Sequence, residues 1–200
     1  LIVGFSPLGA RWVPARSRVA AAAGAALLTA LFAFGASGAA PSGVAAADAP
    51  WSRVEAYYLK LVNCTRTGGW VKSDGTCKGY GTSRYSEYVA PLKLRAGISD
   101  VARAWARYLA INNRCVHGDP AARLRKAGYT SYRWAENIGC RDGYASAYKS
   151  VLATHRFFQS EKSINGGHWR NIKNPLYRSI GIGVWRSGGR TRLVSDFYAP

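Results

Sequence analysis

Apolar and polar positions change rhythm along this chain. From Pro50 to Asn63, the residues Val54, Tyr58, Leu61 and Val62 fall on one side of a 3.6-residue period, which predicts a helix with Asp48 as its cap. Thr65 to Tyr85 is rich in Gly, Ser and Thr and predicts a long loop. After the lead-in Pro91-Leu92-Lys93-Leu94, Ser99 stands as a cap for a second helix that turns Val101, Trp105, Tyr108 and Leu109 inward. Asp119-Pro120 starts a third helix and Gly128 ends it. A fourth spans about Ser146 to Lys162, with Tyr148, Val151, Leu152 and His155 on its inner face. The period then shortens to two. Ile180, Ile182 and Val184 alternate with small residues, and a β-rich run from Arg190 to Tyr198 follows Gly188-Gly189, which is a hairpin pattern. Helices first and strands last, without βαβ units, predict an α+β fold.

Residues 1–47 follow different rules. Arg11, Arg16 and Arg18 precede an uncharged run from Val19 to Ala40, and Ala45-Ala46-Ala47 follows. A basic start, an apolar middle and a small-residue exit describe a signal peptide, or else an N-terminal membrane segment, since the run is long enough to span a bilayer. The expected domain is then 48–200, and the expected location is extracellular, or the cell envelope if the leader stays. A domain of that size buries roughly 70% of the surface its unfolded chain exposes.

Export also gives meaning to the four cysteines, since oxidising compartments favour disulfides. Three pairings are possible. Loop length favours Cys64 with Cys77 and Cys115 with Cys140, each bond contributing roughly 3 kcal/mol in the chain-entropy view. The absence of any Cys-x-x-Cys pair speaks against a cysteine zinc site. With 28 basic and 10 acidic residues the formal charge is +18, which attracts anionic envelope polymers or lipid headgroups and also serves solubility. No DNA-binding motif accompanies the charge, so nucleic acid is not an expected partner.

Four short contexts hold the candidate chemistry: Cys-Val-His-Gly at His117, Trp-Ala-Glu-Asn-Ile at Glu136, Phe-Phe-Gln-Ser-Glu at Glu161, and Gly-Gly-His-Trp-Arg-Asn-Ile at His168. In this order, and with Leu61-Val62-Asn63 before them and Ile180-Gly181-Ile182-Gly183-Val184 after, they resemble the CAP superfamily of cysteine-rich secretory, antigen 5 and pathogenesis-related proteins. The resemblance covers about Val54 to Pro200. It implies a three-layer α-β-α sandwich with a central antiparallel sheet, and a cleft holding His117, Glu136, Glu161 and His168. Phe158 takes the place of the family's usual Trp, three residues before the second Glu.

Two neutral imidazoles can bind a divalent metal, Zn²⁺ above all, while carboxylates orient them through the other ring nitrogen. His117 and His168 are thus the expected ligands, and Glu136 and Glu161 their supports. A small ligand or lipid is an alternative occupant. A metal-assisted hydrolase would use Glu136 and His168 as its catalytic groups, with Ser160, Ser163 or metal-bound water as nucleophile. Neither Gly-x-Ser-x-Gly nor His-Glu-x-x-His occurs to support it. A basic adhesion module is the third reading. His155 lies on the inner helix face with Val151 and Leu152 and reads as a core-edge residue.

Overall fold

The computed structural model describes residues 50–79 and 87–200. The expected leader and the expected Asp48 cap lie outside them. No described helix is long and apolar enough to cross a membrane.

Helix α1, Ser52–Arg66, buries Val54, Tyr58, Leu61 and Val62 as the periodicity predicts. Each fully buried large side chain of this kind contributes about 1.5–3 kcal/mol. Within the described part of the glycine-rich stretch, residues 67–79, the expected loop holds a short hairpin. Strands β1 (Trp70–Val71) and β2 (Cys77–Lys78) pair antiparallel, and Cys77 is bonded to Cys64 of α1. Asn63 and Leu92 exchange hydrogen bonds of 3.1 and 2.8 Å, fixing the approach to β3, Lys93–Leu94.

Then come α2 (Ala96–Ile111), α3 (Pro120–Lys126), β4 (Trp134–Asp142), α4 (Ala147–Ser160), a 3₁₀ turn at Glu161–Ile164, α5 (Gly167–Lys173), β5 (Ser179–Ser187) and β6 (Arg190–Tyr198). The main sheet runs β3-β5-β6-β4; its three long strands are antiparallel, and only the two-residue β3 is parallel to β5. Gly188 and Gly189, at φ 54° and 78°, make the β5–β6 turn that the sequence predicts. Helix α2 covers one face of the sheet, and α1, α4 and α5 cover the other. The result is an α-β-α sandwich.

Helix α2 departs from the expected pattern. It starts after Arg95, and Ser99 lies inside its first turns, where its hydroxyl accepts the Ile182 amide at 3.1 Å. Its buried stripe is Ile98, Ala102, Ala106, Leu109 and Ala110, whereas Tyr108 is exposed and stacks on Trp105 at 4.8 Å. The cause lies across the interface. A Cβ on Gly181 or Gly183 would overlap the α2 backbone at Ile98 and Ala102, so helix and sheet meet with almost no side chain between them. Alanines fill that seam, and a search for large apolar residues overlooks them.

The opposite layer is held by a buried cation. Arg66 is fully buried and donates to four carbonyls: Ala90 at 2.8 Å, Ile172 at 2.6 Å, Asn174 at 3.1 Å and Tyr177 at 3.3 Å. One guanidinium thereby ties the end of α1 to the α5–β5 connection. Burial, with help from nearby Arg178, lowers its pKa to about 10, so it remains charged at neutral pH.

Candidate functional site

Strand β4 is an edge of the sheet, and its successive side chains point to opposite faces. Glu136 and Asn137 are neighbours on it, and each anchors one histidine-bearing segment.

Glu136 faces the α2 layer. Its Oε1 meets His117 Nδ1 at 2.8 Å, and its Oε2 is ion-paired with the Arg123 guanidinium. His117 sits on the loop after α2. That loop is held by the Cys115–Cys140 bond, by Trp105 Nε1 donating to the Val116 carbonyl at 3.1 Å, and by Arg123 Nη1 donating to the His117 carbonyl at 2.8 Å. Arg123 also lies 4.3 Å from the centre of the Trp105 ring. Gly118 lets the loop turn at φ 63°, where a Cβ would come within 2.8 Å of Trp105.

Asn137 faces the α4–α5 layer. Its amide donates to the His168 carbonyl at 3.1 Å, and its oxygen accepts Asn171 Nδ2 at 2.7 Å. His168 Nδ1 meets Glu161 Oε1 at 2.6 Å, and the His168 backbone N–H donates to Glu161 Oε2 at 3.0 Å. The Glu161 carboxylate therefore fixes both the ring and the start of α5. Phe158 stacks on the His168 ring at 4.1 Å with a 16° interplanar angle. Phenylalanine in place of tryptophan thus keeps a flat aromatic wall.

The four expected residues form two pairs, His117–Glu136 and His168–Glu161, each moored to one of two consecutive residues of β4. Both carboxylates engage Nδ1. Neither Nε2 has a hydrogen-bond partner among the described residues, and the side chains of His117 and His168 are 55% and 28% exposed. That donor chemistry fits a metal-ligating histidine with a carboxylate behind it. Among the described residues, no three His, Cys, Asp or Glu side chains gather as a ligand cluster.

Two further groups escaped the sequence reading. Arg123 occupies an ordinary helical position with no motif around it. Asp196 is the register partner of Glu136 on β6; it is 1% exposed, and neither carboxyl oxygen has a hydrogen-bond partner among the described residues. Burial, reinforced by the Glu136 carboxylate, pushes the Asp196 carboxyl well above its usual range, with Arg123 opposing. Only the strand pairing places it beneath the first pair.

His155 lies deeper than the core edge. It is fully buried, with Nε2 2.8 Å from the Thr65 hydroxyl, and burial lowers its pKa to about 3. The hydroxyls of Ser160 and Ser163 donate to the carbonyls of Phe157 and Ser160, and neither bonds to a histidine among the described residues.

The fold is similar to that of an outer surface protein from Borrelia burgdorferi, with a TM-score of 0.52 and 15% identity over 74% of this chain and 94% of that one. It is similar as well to NaASP2 crystallised with Zn²⁺, with a TM-score of 0.50 and 14% identity over 72% and 78% of the two chains. An extracellular SCP-domain protein from Bacillus anthracis matches at 17% identity and a TM-score of 0.44, over 56% of this chain and 35% of that one; the chain thus spans about a third of that protein's length. No curated protein matches. Residues 82–197, more than half the chain, match the cysteine-rich secretory protein family, CAP. Four motifs in order, the α-β-α sandwich and this match agree: the chain belongs to the CAP family.

Proposed function

We propose that this is an exported CAP domain that binds a divalent metal through Nε2 of His117 and His168 and acts by binding in the extracellular space or the cell envelope. One observation carries the reading: each histidine gives Nδ1 to a carboxylate and keeps Nε2 free. A carboxylate in that position fixes the tautomer, aims the ring and raises its basicity. Glu136 and Glu161 are the orienting groups, Arg123 steadies Glu136, and Phe158 keeps the His168 ring from turning. Because the two pairs flank one strand edge, a single ion at that edge is the simplest occupant. NaASP2, of similar fold, was crystallised with Zn²⁺, which makes zinc the first ion to test.

A bound ion would supply Lewis acidity and open positions for water or a small ligand. The leader of residues 1–47 would deliver the domain to an oxidising compartment, consistent with two disulfides and no free cysteine.

The test is a calorimetric titration of Zn²⁺ into the 48–200 domain and into the His117→Ala, His168→Ala double variant. The parent should bind one ion, and affinity should fall by about 100-fold or more in the variant. Acidification should release the ion, because protons compete for the same nitrogens. Equal affinity in parent and variant would dismiss the site.

A further inference from the structure

Helix α4 has two working faces. Val151, Thr154, His155 and Phe158 point into the core. Tyr148, Lys149, Leu152, Ala153 and Arg156 form a second stripe, spaced three and four residues apart, that lines a cavity of about 540 Å³. Tyr57 of α1, the β1–β2 tip at Ser73 and Asp74, and Tyr144 complete the walls. The volume is within the range of small-ligand sites. None of the His–Glu residues lines it.

The walls are built rather than incidental. The Cys64–Cys77 bond holds the β1–β2 hairpin against α1. At the hairpin tip Gly75 turns at φ 85°, and a Cβ there would run into the Tyr57 hydroxyl. Tyr57 and Tyr148 face each other with ring centres 5.4 Å apart, tilted by 58°. Tyr144 and Tyr148 remain 37% and 43% exposed. Lys149 and Arg156 are exposed and have no ion-pair partner among the described residues. Asp74, the one acid on the wall, accepts hydrogen bonds from the Thr76 amide and hydroxyl at 2.9 and 2.7 Å, which hold its carboxyl below the usual range.

We infer that this tyrosine-walled cleft binds an acidic saccharide, a sugar ring bearing a carboxylate. Exposed tyrosine faces offer flat apolar surface to a pyranose ring. Lys149 and Arg156 offer two free cations to its carboxylate. Asp74 and Ser73 offer acceptors for its hydroxyls. A fatty acid would leave those acceptors unused. A single-stranded DNA would bring its phosphates against Asp74 without supplying the ring hydroxyls that acid can accept from. The site gives the strongly basic surface a specific place to read what it attracts.

The probe is trigalacturonic acid, with neutral galactotriose and a single-stranded oligonucleotide of equal charge as comparators, measured by calorimetry on the disulfide-bonded 48–200 domain. The acid should bind at one site and outcompete both comparators. Tyr148→Ala should lower affinity about tenfold or more, on the scale of an aromatic hot spot. The Lys149→Ser, Arg156→Ser double variant should erase the preference for acid over neutral sugar. Both changes are on exposed side chains, and retained zinc affinity or an unchanged unfolding midpoint verifies the fold. At 0.5 M salt, a Tyr148-dependent share of binding should persist, because stacking is not screened. No binding by the parent, equal binding by the variants, or equal competition by the oligonucleotide would overturn the inference.

Discussion

Arg66 and Asp196 are both all but closed to solvent, on opposite faces of one sheet, yet their surroundings are opposites. The guanidinium is met by four carbonyls, whereas the carboxyl has no hydrogen-bond partner among the described residues and sits against another acid. A buried charge is tolerable only when its hydrogen-bonding capacity is met. With four of its five N–H groups donating, Arg66 largely meets that condition without a counter-ion and becomes a clasp between chain segments. Asp196 fails it, and its burial favours the neutral acid over the carboxylate. The difference separates a residue that organises the fold from one whose cost is borne beneath the His117–Glu136 pair.

The largest expected effect comes from breaking the clasp. Arg66→Met keeps much of the volume but leaves four carbonyls without their donor, and should destabilise the domain by about 3 kcal/mol or more. The urea midpoint should fall with little change in slope.

His155 sharpens the comparison with a group that titrates in the other direction. Its unfolded pKa is near 6.5 and its folded pKa about 3. The unfolded chain therefore takes up a proton first, and stability should fade as pH drops from about 6.5 toward 3. Urea midpoints measured across that window should lose much of this acid limb in His155→Gln.

Asp196 gives the smallest effect and the opposite slope. The folded protein keeps a proton that the unfolded chain releases above about pH 4, so this residue lowers stability as pH rises through that window. Asp196→Asn should flatten the slope and leave stability at pH 7 equal or about 1 kcal/mol higher. A clear loss of stability at pH 7 would show that Asp196 works as a charge.

What the sequence revealed follows from how each feature is encoded. The β5–β6 hairpin is legible because alternation and a double glycine are local. The inner faces of α1 and α4 are legible where large residues carry the period. The face of α2 is not, since its packing depends on glycines in a strand eighty residues away. Strand β4 has no alternation to betray it, because Glu136 and Asn137 are both buried for the sake of partners on different faces. His117, Glu136, Glu161 and His168 stand out through motif context. Arg123 and Asp196 do not, since one belongs to an ordinary helix turn and the other becomes relevant only through strand register.

The outer margin of β5 has one more implication. Beyond the two residues that β3 covers, the amide of Ile182 is taken by Ser99 and that of Val184 by buried Glu55, which Arg103 of α2 also grips. Side chains thus stand in for a missing neighbour strand. A second molecule attempting to lengthen the sheet there finds these two amides already engaged, which hinders fibre-like stacking along this stretch without a proline or a lysine fence.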